Sequence, residues 1–172
     1  MKLIFLDVDG VMNHISWYNS DQCKSLAATV GEGHRNNHRF FDPRCVSLLN
    51  NLTDKTGAKI VVSSSWRIGR SLEDLKELFA SVGISGEVIG KTPKLYYDPE
   101  HDYHYSVPRG CEINAWLHRN KGILNAKMSQ VKYVILDDDS DMLYWQRKNY
   151  LCVDPYCGLT PKLIHRAIQI LT

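Results

Sequence analysis

The sequence lacks the features that would assign it to a membrane-bound or secreted class. No apolar run approaches the roughly 18 residues needed to cross a bilayer. The apolar start, Met1–Leu6, is too short for a signal peptide and is followed by Asp7 and Asp9. No internal repeat or low-complexity tract is present in the sequence. We therefore expect one domain, with neither a secretory signal nor a membrane partner.

The sequence also lacks paired cysteines and a large net charge. The 5 cysteines are odd in number and form no CxxC pair, which predicts free thiols in a reducing cytoplasm and not a disulfide framework. The net charge of +2 permits an anionic substrate, but it does not indicate a protein that coats nucleic acid. The hydrophobic fraction of 44% and the charged fraction of 23% are ordinary, so we expect a soluble, globular, cytoplasmic protein.

What the sequence does contain is a series of short apolar runs separated by helical patterns. Uninterrupted runs of this length are typical of parallel strands that are buried on both faces. The strongest runs are Lys2–Leu6, Lys59–Val62 and Val131–Leu136. Weaker strands are predicted at Glu87–Ile89 and Tyr150–Val153, and helices at Pro43–Thr53, Ser71–Ser81, Glu112–Arg119 and Pro161–Leu171. Strands that alternate with helices predict a doubly wound, Rossmann-like α/β fold over residues 1–172.

Two polar stretches, about 13–41 and 93–109, do not fit this alternation and are predicted to be loop insertions. Loops of this length in a compact domain are often functional. The second stretch contains a tyrosine-rich segment, 95–105, whose rings suit either base stacking or packing of the loop on itself. Trp145 is expected to be a packing residue.

Unusual polar residues follow the three strongest strands. Asp7 and Asp9 follow the first strand, Ser63 follows the second, and four acids among residues 137–141 follow the third. Because ligands bind beyond the carboxyl ends of parallel strands, we expect these residues to lie together. Such closely spaced carboxylates repel one another unless a cation compensates, and Mg²⁺ prefers oxygen ligands.

The same strand ends supply groups that suit a phosphorylated substrate. A serine hydroxyl after the second strand can hold a phosphoryl oxygen, and Arg67 can add a forked donor. Together with a carboxylate nucleophile and a second carboxyl group, these residues suffice for phosphoryl transfer through an aspartyl-phosphate.

Three of these segments resemble signature motifs of the haloacid dehalogenase (HAD) superfamily of phosphohydrolases. They are residues 7–11 (DVDGV), Ser63, and Asp137–Asp138. The resemblance implies that Asp7 is the nucleophile, that Asp9 is the general acid and base, and that Ser63 holds the phosphoryl group. It also implies Mg²⁺ between Asp7, the backbone carbonyl of Asp9 and Asp138, with Asp137 a further candidate ligand. Because dehalogenases of the superfamily lack the second acid, Asp9 favours a phosphatase.

The fourth HAD motif is a lysine or arginine near the start of the helix that precedes the third motif strand. This cation neutralises the carboxylates and binds phosphate. Arg109 is our first candidate and Lys91 is the alternative. The segment Gly90–Thr92 does not have the spacing of a nucleotide-binding P-loop. The residues predicted to contact substrate are Gly10, Ser64, Arg67 and Lys91.

Finer patterns resemble the small HAD domains associated with RNA-repair proteins. They include residues 63–67 (SSSWR), 109–117 (RGCEINAWL) and 135–139 (ILDDD). This resemblance implies dephosphorylation of a nucleotide or a polynucleotide end. The two insertions are too short for a full cap domain, and a nearly open site suits a bulky substrate. Two alternatives remain: a phosphatase acting on phosphotyrosine or phosphoserine in proteins, and a catalytically silent HAD-like binding module.

Overall fold

The computed structural model describes residues 1–30, 41–96, 107–122 and 131–172. Five parallel strands form one sheet in the order β3-β2-β1-β4-β5, and helices flank it. This topology confirms the predicted doubly wound α/β fold. The strands are β1 (Lys2–Leu6), β2 (Lys59–Val62), β3 (Val88–Lys91), β4 (Lys132–Asp137) and β5 (Tyr150–Cys152); the helices are α1 (Ile15–Tyr18), α2 (Asp21–Val30), α3 (Pro43–Thr56), α4 (Leu72–Ser81), α5 (Arg109–Arg119) and α6 (Pro161–Leu171).

The predicted strands and helices are all present, with small shifts at their ends. The Ser71 hydroxyl accepts a hydrogen bond from the backbone N–H of Asp74, and the two residues form a capping box that begins α4. α3 extends to Thr56 and not only to Thr53, and α5 begins at Arg109 and not at Glu112. This earlier start brings the candidate phosphate-binding arginine into the first turn of the helix.

The stretch 13–41 was predicted to be a loop, and for its described part this is wrong. It contains α1 and α2. Nδ1 of His14 accepts a hydrogen bond from the backbone N–H of Trp17 and caps α1, and the Ser20 hydroxyl accepts from the N–H of Cys23 near the start of α2. α1 has only four residues, which are too few to show a helical periodicity in the sequence. Residues 31–40 and 97–106, and with them most of the tyrosine-rich segment, lie outside the described residues.

The sheet is buried on both faces, as the uninterrupted apolar strands require. Alternate residues of β1 point to opposite faces. Ile4 and Leu6 pack in the larger core with α3, α4 and α6, whereas Leu3 and Phe5 pack against α5. No helix in the described parts of the chain is long and apolar enough to cross a membrane.

The strand register brings the three predicted motif segments to one edge of the sheet. Leu6 pairs with Val62 on β2 and with Leu136 on β4. The backbone N–H of Asp7 then donates to the carbonyl of Leu136, and that of Ser63 donates to the carbonyl of Leu6, each over 2.9 Å. The first residues beyond β1 and β2 therefore lie level with the end of β4.

Candidate active site

Three carboxylates converge at the edge of the sheet where β1 and β4 end. Oxygen atoms of Asp7, Asp137 and Asp138 all lie within 4.8 Å of one another. Asp7 and Asp137 are buried, with 6% and 1% of their surfaces exposed, and Asp138 is half-buried. Carboxylates that lie this close can hold one hard divalent cation through oxygen ligands.

Burial makes this cluster costly to ionise. Desolvation raises the pKa of Asp7 to about 6, although the nearby Arg109 opposes the shift. Desolvation and the charge of Asp7 raise the pKa of Asp137 to about 7. Burial also raises the pKa of Asp138. A bound cation would stabilise all three in their ionised form, which is the form that ligates metal.

Four buried side-chain oxygen atoms at or beyond the ends of the strands have no hydrogen-bond partner among the described residues, belonging to Ser63, Thr92, Asp137 and Asp141. Two of them, Oγ of Ser63 and Oδ2 of Asp137, lie in the predicted motifs. Buried polar atoms are almost always paired, so such exceptions require an explanation. A phosphoryl oxygen at Ser63 and a cation at Asp137 would satisfy both atoms, and the residues therefore fit Mg²⁺ and a phosphorylated ligand.

Of the two candidate cations, the structure brings Arg109 to the carboxylates. Its guanidinium lies 3.7 Å from Asp137 and 3.6 Å from Glu112. Its backbone N–H donates to a carboxylate oxygen of Asp141 over 2.6 Å, which fixes the start of α5. Lys91, the last residue of β3, instead donates to the carbonyl of Arg70. In the sheet, β2 lies between β3 and β1. Lys91, at the end of β3, is therefore separated by one strand from Asp7, which follows β1.

Comparison with known protein families identifies the family of this chain. Residues 3–164 match the family described as the HAD domain in Swiss Army Knife RNA repair proteins. The chain belongs to this family. No curated protein and no solved structure matches it significantly. The predicted HAD resemblance, including its association with RNA repair, is confirmed.

In this HAD domain the Asp9 carboxylate is held from two sides. Trp66 donates its indole N–H to Oδ2 over 2.9 Å, and the Asn13 side-chain amide donates to Oδ1 over 2.8 Å. Oδ1 of Asn13 also accepts from the N–H of Gly10, so Asn13 ties its loop together. Sequence reasoning did not identify Trp66 or Asn13 as site residues. The only available signal was that Trp66 lies in the segment SSSWR.

Gly10 and Ser64 were predicted to contact substrate, and the HAD domain places both beside the carboxylates. Gly10 adopts a φ of +73°, and a Cβ atom there would lie 2.4 Å from Oδ2 of Asp138. The glycine therefore leaves room for the Asp138 carboxylate. The Ser64 side chain lowers the pKa of Asp7 and accepts a hydrogen bond from the N–H of Trp66. Both residues thus shape the carboxylate cluster directly.

Arg67 was also predicted to contact substrate, but its hydrogen bonds indicate a different role. An arginine side chain has five N–H donors, and in the buried Arg67 every one of them has a partner inside the protein. This arrangement favours a role in positioning the loop after β2 and not in binding phosphate. The partners are the carbonyls of Thr92 at 2.9 Å, Ser63 at 3.0 Å, Ser64 at 2.6 Å and Pro93 at 3.3 Å, and the carboxylate of Glu112.

A second group with metal-ligand chemistry lies between α1 and α3. It consists of His14, Asp42 and Cys45. Nε2 of His14 lies 2.8 Å from the carboxylate of Asp42, and Nδ1 lies within hydrogen-bond distance of the N–H of Trp17 and the carbonyl of Tyr156. Burial raises the pKa of the Cys45 thiol to about 12, so the thiol stays protonated. These hydrogen bonds occupy the ligand atoms, and we interpret the group as a structural link between the helices.

Proposed function

We propose that the chain is a Mg²⁺-dependent phosphomonoester hydrolase that works through an aspartyl-phosphate, with a nucleotide or a polynucleotide end as its substrate. One observation carries this proposal: the buried carboxylates of Asp7 and Asp137 lie beside Asp138, and the Ser63 hydroxyl at the same edge has no partner among the described residues. Arg109 adds a positive charge at the site. Membership of a HAD family supports a hydrolase.

The proposed metal ligands are the side chains of Asp7, Asp137 and Asp138 and the backbone carbonyl of Asp9. All four ligands offer oxygen atoms, and the spacing of the three carboxylates within one cluster suits Mg²⁺. When bound, Mg²⁺ supplies positive charge that reduces repulsion between the carboxylates and an anionic phosphate.

In the first proposed step, a carboxylate oxygen of Asp7 attacks phosphorus. The new Asp7 O–P bond forms as the bond from phosphorus to the leaving-group oxygen breaks, and Asp9 gives its proton to that oxygen. The positions of the two aspartates support this division of roles. Asp7 is buried at the end of β1, whereas Asp9 is exposed where a leaving group would depart toward solvent. Ser63 and Arg109 hold the phosphoryl oxygens.

In the second proposed step, water replaces Asp7. Asp9, now ionised, removes a proton from a water molecule whose oxygen attacks phosphorus. The Asp7 O–P bond breaks, inorganic phosphate is released, and the Asp7 carboxylate and the protonated Asp9 are restored. The hydrogen bonds from Trp66 and Asn13 keep the Asp9 carboxylate in place between the two steps.

A polynucleotide end is the preferred substrate because the family is described by its occurrence in RNA-repair proteins. A groove of about 230 Å³ beside the site is lined by three cationic side chains, Arg67, Lys94 and Arg109, and Arg67 is paired with Glu112 in the same lining. Positive side chains in an open groove suit a phosphate backbone. A phosphopeptide substrate and a silent binding module are the competing functions, and the experiment below separates them.

The test is phosphate release, with and without Mg²⁺, from a 3′-phosphorylated oligonucleotide, a mononucleotide and a phosphotyrosine peptide. We expect Mg²⁺-dependent release and the highest kcat/KM with the oligonucleotide. Preference for the peptide would replace the proposed substrate but keep the chemistry. Release from none of them, while Mg²⁺ still raises the melting temperature, would support a binding module.

A further inference from the structure

The loop that follows the acidic cluster presents two large aromatic side chains to solvent. Tyr144 is 75% exposed and Trp145 is 63% exposed. The prediction that Trp145 packs in the interior is therefore wrong. Burying an aromatic side chain is strongly favourable, so two adjacent exposed rings indicate a surface that something else covers.

This aromatic loop is well anchored in the structure. The two rings lie on a single turn of 3₁₀ helix, Tyr144–Gln146, and Gln146 is only 1% exposed. Its side-chain amide accepts from the N–H of Leu143 over 2.9 Å and donates to the carbonyl of Gly110 over 3.0 Å. A Cβ atom on Gly110 would lie 2.5 Å from the Gln146 amide oxygen. The close fit fixes the turn while its rings remain outside.

The anchor places the aromatic loop beside the candidate active site. Gly110 directly follows Arg109, whose guanidinium lies 3.7 Å from Asp137. The backbone N–H of Gly110 also donates to the carbonyl of Asp141, so three hydrogen bonds, with that from Arg109 to Asp141, join the segment after β4 to the start of α5. A substrate whose phosphate reached Arg109 would therefore have its next groups near this loop.

Positive charge accompanies the exposed rings. The guanidinium of Arg147 lies 4.1 Å from the centre of the Tyr144 ring and donates to the Tyr144 carbonyl, and the neighbouring Lys148 is exposed. An apolar peptide or a lipid surface would match rings accompanied by aliphatic side chains. Rings accompanied by cations match stacked bases joined by phosphates.

We propose that Tyr144 and Trp145 form a stacking platform for the terminal nucleobases of a single-stranded polynucleotide, with Arg147 contacting its backbone. The proposal rests on the proposed function, since it places the phosphorylated end of that strand at Asp7. It also names the substrate class more narrowly: a strand with bases to stack is bound better than a small phosphomonoester.

The test compares kcat/KM on a 3′-phosphorylated octanucleotide and on p-nitrophenyl phosphate, for wild type, Trp145→Ala, Tyr144→Ala and Trp145→Phe. Alanine at either position should lower kcat/KM on the octanucleotide by about tenfold or more, mainly through KM, because each stacked base contributes substantially to binding. Hydrolysis of p-nitrophenyl phosphate should stay within about twofold of wild type, since it has no base to stack. Trp145→Phe keeps a ring and should recover most of the loss.

Tyr156→Ala is the matched control. Tyr156 is exposed like the two platform residues, at 57%. Its loop forms hydrogen bonds with α1 and packs on the α3 and α6 side of the sheet. The aromatic loop packs on the opposite, α5 side through Met142. Tyr156→Ala should have the wild-type kcat/KM on both substrates. Equal losses on both substrates in Trp145→Ala, or an unchanged kcat/KM on the octanucleotide, would overturn the platform.

A binding measurement separates failure of the platform from failure of the proposed function. Anisotropy of a fluorescein-labelled single-stranded octanucleotide is measured with wild type and Trp145→Ala, without any need for turnover. If wild type releases no phosphate but Trp145→Ala binds the octanucleotide about tenfold more weakly, the proposed hydrolase activity is wrong and the proposed stacking platform is supported. If phosphate is released but Trp145→Ala binds as wild type does, the platform is wrong.

Discussion

The indole N–H of Trp66 donates a hydrogen bond of 2.9 Å to the carboxylate of Asp9. The two residues are 57 positions apart in the chain and belong to different loops, one after β2 and the other after β1. Trp66 is itself positioned by an edge-on contact with Phe41 and by the Arg70 guanidinium over its ring. A side chain of the larger core thus helps to orient the proposed general acid and base.

Trp66→Phe should lower turnover without unfolding the protein. Phenylalanine keeps most of the ring contact with Phe41 but cannot donate to Asp9. We expect kcat on a substrate with a poor leaving group to fall about tenfold, because a misoriented acid transfers its proton poorly. With p-nitrophenyl phosphate, whose leaving group needs little protonation, the first step should be affected less.

Steady-state kinetics on the two substrates checks this. The prediction fails if Trp66→Phe leaves kcat unchanged on both substrates while the melting temperature matches wild type.

Arg109→Ala should abolish most activity, whereas Lys91→Ala should not. Arg109 lies at the carboxylates, and its loss removes a cation that the proposed transition state needs. Loss of one such electrostatic contact costs about 100-fold in kcat. Lys91 contacts the carbonyl of Arg70, so its loss should change kcat/KM by less than about threefold. The reverse pattern, measured by phosphate release, would assign the phosphate-binding cation to Lys91.

Arg67→Ala should act chiefly on stability. Arg67 and Glu112 form an ion pair in which the side chains are only 4% and 5% exposed. Removing Arg67 leaves the buried Glu112 carboxylate with only the N–H of Leu95 and the 3.6 Å contact to Arg109, which costs at most about 3–5 kcal/mol. Urea unfolding should show this loss, while Arg166→Ala, at an exposed site on α6, should change the free energy of unfolding little. A wild-type unfolding curve combined with a raised KM would instead make Arg67 a substrate contact.

The carboxylate cluster should make the metal-free protein less stable as pH rises. Burial raises the pKa values of Asp7 and Asp137 to about 6 and 7 in the folded state. The folded state therefore holds protons more tightly than the unfolded chain, whose aspartates titrate near pH 4. Stability is greatest below that value and falls as pH rises through about 7, by on the order of 7 kcal/mol for the two groups together.

Melting temperatures between pH 5 and pH 8, with and without Mg²⁺, check this expectation. Mg²⁺ should raise the melting temperature more at pH 8, where the ligands are ionised, than at pH 5. Asp137→Asn should flatten the metal-free profile. A melting temperature that rises with pH in the absence of metal would contradict the account of the cluster.

The sheet and the convergence of Asp7, Ser63 and Asp137 were predictable from the sequence because they follow from local patterns. Continuous apolar runs predict buried parallel strands, and parallel strands bring their carboxyl ends to one edge. The five-stranded parallel sheet and the match to the HAD family confirm the predicted fold.

The contacts between distant segments were not predictable in this way. Arg67 near a candidate phosphate site has the same sequence signature whether it binds substrate or pairs with Glu112, which lies 45 positions away. The outward orientation of Trp145 depends on how Gln146 fits against Gly110. Such contacts depend on tertiary packing, and no local periodicity encodes them.

The central claim is that Asp7 attacks phosphorus, and trapping the covalent product tests it most directly. Wild type and Asp7→Asn are mixed with a substrate carrying a radiolabelled terminal phosphoryl group and quenched in acid within one turnover. Asp54→Asn, an exposed position on α3, is the control. The account predicts labelled protein from wild type and Asp54→Asn and none from Asp7→Asn. Phosphate release by Asp7→Asn at the wild-type rate would contradict it.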